Sequence, residues 1–337
     1  ADEGRTLVVI RSGEISEGTT GQAIGLLMKS PFSEGTKMYL TRLEARMDAA
    51  AMSDDIRFMF NPKPAEFRVE IQSLAGSPRS SFSQLAVDAN GNIYAAGYIY
   101  GTATYDFGGG VTATGTSTGD NPVLVKYDSS GAPQWARTVT ASRGGFSSVA
   151  VDVEGNVYAT GDVSGTGFCD FGGGVTIALR HWRGVLVKYD SSGAAQWART
   201  ATTGESYFGE VAVDAGGNVY AAGNIAGSGR CDFGGGVTAT GTAENAAVLV
   251  KYDSSGMPQW ARTVTAGNSV SRSYFYSVAT NAGGNVFAAG GSSIDGMGSF
   301  DFGENVKITL RYGSGVLVKY DSSGAAQWVR TVTAGPD

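Results

Sequence analysis

Two short segments carry the side chains best suited to contact chemistry. They are Leu179-Arg180-His181-Trp182-Arg183 and Leu310-Arg311-Tyr312. A guanidinium beside an aromatic ring can stack on a planar group or bond an anion. Arg143, Tyr207, Arg272 and Tyr274 fall at related places in the chain and belong to the same candidate binding set. The same residues also fit a plain surface loop that fills space. Catalytic groups are scarcer. His181 is the single histidine, which leaves little material for a zinc site or a Ser–His pair. Paired-carboxylate chemistry stays open, because the acidic residues are plentiful. No catalytic residue, metal or cofactor follows from the sequence.

Further residues recur with regular spacing. Asp-Phe-Gly appears at Asp106, Asp170, Asp232 and Asp301. These carboxylates lack the dense spacing of a calcium cage and read as turn residues that accept backbone N–H bonds. Cys169 and Cys231 each precede one of them, where the other copies have Tyr105 and Phe300. The aromatic equivalents predict a buried slot and free thiols. Strand, glycine and helix signals from Ser12-Gly13 to Gly21 suggest a nucleotide loop, but neither phosphate-binding glycine pattern is present.

The elements that position these groups are repeats. Val-Asp followed by Gly-Asn recurs at Asp88, Asp152 and Asp214, and in altered form at Asn281. Leu-Val-Lys-Tyr-Asp-Ser-Ser-Gly recurs at 124–131, 186–193, 249–256 and 317–324, and a Gln-Trp follows each time. Copies lie 62 to 69 residues apart. Each copy predicts four strands, a to d. A turn of the Asp-x-x-Gly-Asn type joins a to b, and an Asp-Ser-Ser-Gly turn joins c to d. A lone sheet of this kind exposes two apolar faces, and stacking the copies buries them. Repeats of this size and strand number predict an all-β β-propeller. Trp135, Trp197, Trp260 and Trp328 occupy one position in every copy, which predicts packing against the next copy rather than a binding ring.

The unit VAVDxxGNVY…DFGGG…VLVKYDSSGxxQWxR resembles the bacterial β-propeller repeat often called SBBP. The resemblance covers residues 67–337. It implies an exported or cell-surface protein and rings of about seven blades, and it implies no shared catalytic motif.

The organisation expected is a small α/β segment over 1–65, then propeller repeats over 66–337. Blades fall at about 80–140, 145–202, 207–266 and 274–337. Residues 66–74 resemble a strand d and are one strand too many. The chain is then a fragment, or four blades close with a strand to spare, or two chains share a ring. Within 1–65, strands are expected at 6–10 and 56–60, and helices at 20–29 and 34–52.

Of the 337 residues, 51 are Gly and 8 are Pro, as suits a β protein with many tight turns. A net charge of −6 argues against nucleic-acid partners. No apolar run reaches the ~20 residues of a membrane-spanning helix. The start at Ala1-Asp2-Glu3 fits a chain processed after export, and fits a trimmed chain as well.

In the alternating strands of such a repeat, the d-to-a and b-to-c connections share one face. They are long and varied, so recognition is expected there. The sequence thus points to an exported, periplasmic or surface module that binds a protein or glycan. The rivals are an assembly subunit, a homo-oligomer, a propeller lyase or glycosidase, and, last, a quinone-cofactor dehydrogenase.

Overall fold

A computed structural model of the protein describes residues 24–29, 56–60, 66–73 and 79–332, apart from 141–142, 267–271, 294–296 and 312. The chain divides into two compact units, Ala1–Arg79 and Ser80–Asp337.

In the first unit, Ile24–Lys29, Glu66–Ser73 and Ile56–Phe60 form an antiparallel sheet with Glu66–Ser73 in the centre. The strand at 56–60 is as expected. Residues 24–29 are a strand, not the end of a helix. A short apolar run reads the same in either state, and here pairing decides. The register sets Ile24 opposite Ile71, Leu26 opposite Val69 and Met28 opposite Phe67. The strand at 66–73 finds its partners within this sheet. The expected strand 6–10, the helix 34–52 and the Ser12–Gly21 loop lie outside the described residues.

In the second unit all regular structure among the described residues is β. Four antiparallel four-stranded meanders follow one another. Sheet I comprises Ser80–Val87, Ile93–Tyr100, Asp120–Tyr127 and Pro133–Thr138. Sheet II comprises Arg143–Val151, Val157–Asp170, Thr176–Tyr189 and Ala195–Thr200. Sheet III comprises Glu205–Val213, Val219–Ala226, Asn245–Tyr252 and Pro258–Thr263. Sheet IV comprises Arg272–Thr280, Val286–Ser293, Gly315–Tyr320 and Ala326–Thr331. Each set supplies strands a to d in order. A single parallel bridge, Asn245 to Arg272, links sheets III and IV.

The turns close as their residues dictate. Asp88 Oδ1 accepts the N–H groups of Asn90 and Asn92, and Tyr94 Oη donates to Asp88 Oδ2. Asp190 Oδ1 accepts from Ser192 Oγ at 2.6 Å and from the Ser192 and Ala194 N–H groups. The Ser192 hydroxyl first, and those N–H groups with it, hold the Asp190 carboxyl below the usual range. Asp106, Asp170, Asp232 and Asp301 each accept the N–H two residues on, so they are turn residues.

The cores lie between sheets. Tyr94, Leu124 and Trp135 of sheet I pack with Phe146, Val149, Cys169 and Phe171 of sheet II. Tyr158, Leu186 and Trp197 of sheet II pack with Phe208, Val211, Cys231 and Phe233 of sheet III. Tyr220, Leu249 and Trp260 of sheet III pack with Phe275, Val278, Phe300 and Phe302 of sheet IV. The two thiols are buried and not in a disulfide, in the slot that Phe300 fills in sheet IV.

Three of the repeated Trp residues bind the next sheet's Asp-Ser-Ser-Gly turn. The indole N–H of Trp135 donates to Ser191 O, that of Trp197 to Ser254 O and that of Trp260 to Ser322 O, all at 3.2 Å. Arg137, Arg199 and Arg262 donate to Gly193 O, Gly256 O and Gly324 O at 2.6 Å. Gly193 has φ +80°, and a Cβ there would lie 2.8 Å from the Trp135 ring. Glycine is needed twice over, for the turn and for the indole.

The first strands also meet. Gln84 of sheet I donates through Nε2 to Glu210 Oε1 of sheet III at 3.0 Å, and Ser148 of sheet II donates to the same oxygen at 2.9 Å. The Val149 N–H donates to Gln84 Oε1 and the Val211 N–H to Ser148 Oγ. One polar rung therefore gathers strand a of three successive sheets.

Trp197→Ala is expected to cost about 3–5 kcal/mol, as for a large buried aromatic. Trp328, with no described sheet behind it, should cost about 1 kcal/mol as Trp328→Ala. Urea unfolding of dilute protein measures both. Equal losses would show that the indole acts within its own sheet.

Candidate recognition face

The expected contact residues whose side chains are described lie at three junctions between sheets, on the side of the d-to-a and b-to-c connections. At the I/II junction an open groove of about 450 Å³ is lined by Tyr100, Thr118, Gly119, Asp120, Arg143, Gly144 and Trp182. Tyr100 ends strand b of sheet I and Arg143 begins strand a of sheet II. Arg143 Nη2 donates to Thr118 Oγ1 at 2.8 Å, which fixes the guanidinium at the rim. Trp182 is 46 % exposed and Tyr100 41 %. Asp120 Oδ1 is buried and has no hydrogen-bond partner.

Trp182 reaches the groove because strands b and c of sheet II are unusually long. They pair without interruption from Val157 opposite Tyr189 to Asp170 opposite Thr176. Residues 179–183 were expected in a loop, and they are strand. Arg180 lies opposite Thr166, His181 opposite Gly165 and Trp182 opposite Ser164. In sheets I and III the chain instead breaks into a small separate hairpin, Thr104–Asp106 with Thr112–Thr114 and Arg230–Asp232 with Thr238–Thr240. In sheet IV, Arg311 lies opposite Met297 in the equivalent hairpin. Tyr312 and the side chains of Arg180, His181 and Arg311 lie outside the described residues.

The II/III junction is more enclosed. Asp162 Oδ1 and Ser206 Oγ are buried without a hydrogen-bond partner. Burial pushes the Asp162 carboxyl up to about 7, against the opposing effect of the Phe208 N–H. Arg183 is also buried here, with Nη1 unpartnered, so it is no open contact. Burial pushes the Cys231 thiol up to about 11, with nearby Arg183 opposing and Glu205 adding to it. Tyr207 is raised by burial and then by Glu205 and Asp162.

At the III/IV junction, Arg272 pairs with Glu244, and Tyr274 stacks on Tyr276 with centroids 5.9 Å apart and planes 11° from parallel. The predicted residues therefore divide into three local groups. Of them, Arg143 and Trp182 share a groove. Tyr100 and Asp120 complete it, and the sequence reading missed both.

Comparisons with known proteins add little. No family model matches the chain, and no curated protein matches it. Among solved structures it is similar to a protein of unknown function from Bacteroides caccae. That likeness has 9 % identity and a TM-score of 0.35, and covers 75 % of this chain and 82 % of the other. Among the described residues no helix is long and apolar enough to cross a membrane.

The raised carboxyl gives a pH test. A folded-state value above the unfolded one near 3.8 favours folding below that value, and the benefit is lost as pH rises towards about 7. Asp162→Asn should therefore raise Tm relative to the parent protein at pH 8 and have little effect at pH 4. Calorimetry at both pH values measures this. An equal effect at both would show that Asp162 keeps an ordinary carboxyl.

Proposed function

We propose that the four sheets are blades of a β-propeller of the SBBP type, and that the chain is an exported or surface module which binds a glycan in the groove between sheets I and II. The face-to-face cores between successive sheets support the propeller reading. So does the rung from Gln84 through Ser148 to Glu210, because strands of sheets that are not neighbours meet only if the stack curves about its first strands.

The observation that carries the binding reading is the make-up of the groove. Tyr100 and Trp182 offer two exposed aromatic faces beside a guanidinium held by Thr118, and Asp120 also lines the groove. Sugar rings stack on aromatic faces, and their hydroxyls pair with such acceptors and donors. A protein partner would use the same rings as anchors. The enzyme reading asks for two close carboxylates. At the rung, Glu210 is hydrogen-bonded to Gln84 and Ser148.

A mixed glycan array, followed by titration of the best hit with tryptophan fluorescence as readout, tests the proposal. Trp182→Ala and Arg143→Ala should each weaken that hit by about 10-fold or more with Tm nearly unchanged. Undiminished binding in both variants, or no hit on the array, would overturn the assignment of a glycan to this groove.

A further inference from the structure

The contact that joins the sheets is left half-made twice. At each of three internal junctions, strands c and d of one sheet present a Lys, a Trp and an Arg to the next sheet's Asp-Ser-Ser-Gly turn. The lysines take part as the indoles do: Lys126 Nζ donates to Ser191 O, Lys188 to Ser254 O and Lys251 to Ser322 O. Sheet IV carries the same donor set as Lys319, Trp328 and Arg330. Among the described residues it meets no turn. Arg330 Nη1 donates to its neighbour's carbonyl, Val329 O, and among the described residues no turn carbonyl accepts from it. Leu317 is 42 % exposed, whereas its counterpart Leu249 is fully buried.

Sheet I carries the other half. Its turn, Asp128-Ser129-Ser130-Gly131, is formed like the others, with Ser130 Oγ donating to Asp128 Oδ1 at 2.6 Å. Yet a Cβ on Gly131 would meet nothing within 4 Å, whereas one on Gly193, Gly256 or Gly324 would strike an indole. Arg137, Arg199 and Arg262 each add to the lowering of the carboxyl in the turn they face, whereas the lowering of Asp128 comes first from Ser130 and the backbone of its own turn. On the same side Phe82, Leu85 and Val87 are exposed, whereas Phe146 and Val149, the counterparts of Phe82 and Leu85 in sheet II, are buried. Among the described residues an apolar, cation-bearing face on sheet IV and an apolar face with an acidic turn on sheet I are left uncovered, and they complement each other.

We infer that sheet IV docks on sheet I of a second copy of this chain, with Trp328 seated on Gly131 and with Lys319 and Arg330 on the carbonyls of the Ser129–Gly131 turn. The occupant follows from continuity. The same residue types already form this junction three times, and both halves of the missing one lie on the surface of one chain. Such a contact is head-to-tail, and so builds a closed ring or a filament rather than a face-to-face pair. It does not depend on what binds between sheets I and II.

Sedimentation velocity over a range of concentrations tests the inference. The parent chain should exceed 34.7 kDa in whole multiples as concentration rises. Trp328→Ala should weaken association by about 30-fold or more. Gly131→Asn should do the same from the other side. Asn tolerates the left-handed turn conformation, but its Cβ would occupy the place of the incoming ring. Each variant keeps one intact half, so an equimolar mixture should recover a dimer that neither forms alone. A parent chain that stays at 34.7 kDa throughout would overturn the proposal, whether its ends are free or covered by its own residues. So would association that survives both substitutions, or a mixture that stays monomeric.

Discussion

An indole lying on the glycine of the next sheet's turn sets the spacing of the whole array. The ring fills the only surface that a glycine in the left-handed region leaves open, and its N–H reaches a serine carbonyl of the same turn. The neighbouring guanidinium takes the glycine carbonyl and lies 5.3 Å from the indole centroid. Backbone carbonyls turned away from their own hairpin thus find donors in the preceding sheet, where they would otherwise be satisfied by water alone. Apolar burial supplies most of the stabilisation between sheets. The polar contact fixes which turn meets which strand, and so fixes the offset at which those apolar faces meet.

That constraint explains what was legible in the sequence. The four sheets, their turns and the packing role of Trp135, Trp197 and Trp260 could be read because one contact recurs and imposes one set of residues. The buried slot of Cys169 and Cys231 could be read from Phe300 in the same place. Features that occur once were harder to see. Residues 24–29 make an apolar run too short to separate strand from helix, and pairing with Glu66–Ser73 decides it. Residues 179–183 looked like a loop because Gly165 and Gly167 lie across from them, although the hairpin continues through those glycines without a break. The groove escaped notice because Tyr100 and Trp182 stand far apart in the chain. The rung of Gln84, Ser148 and Glu210 left a faint mark, a polar residue two places after the Phe of strand a and just before its last apolar residues.

The three junctions share a framework and differ at the rim. Sheets I and II leave an open groove with an acceptor unpaired. Sheets II and III bury a carboxylic acid that holds its proton to near neutral pH. Sheets III and IV are linked at the rim by the Arg272–Glu244 ion pair, beside a stacked pair of tyrosines on sheet IV. This division of labour is physical. The turn side must reproduce one geometry at each junction, whereas the opposite side is free to carry whatever groups its connections supply.

The lock between tryptophan and glycine also bears on how such a chain changes over generations. Because the two halves of each lock lie in different repeats, a substitution in one copy is judged by the copy before it or after it, not by its own sheet. The four copies accordingly agree closely in the turn and in strand d, and differ in the connections between strands b and c. A duplicated repeat arrives with both halves of the lock already matched to its new neighbours. Lengthening or shortening the array by whole units then requires no fresh packing solution, and variety accumulates along one rim while the other stays nearly uniform.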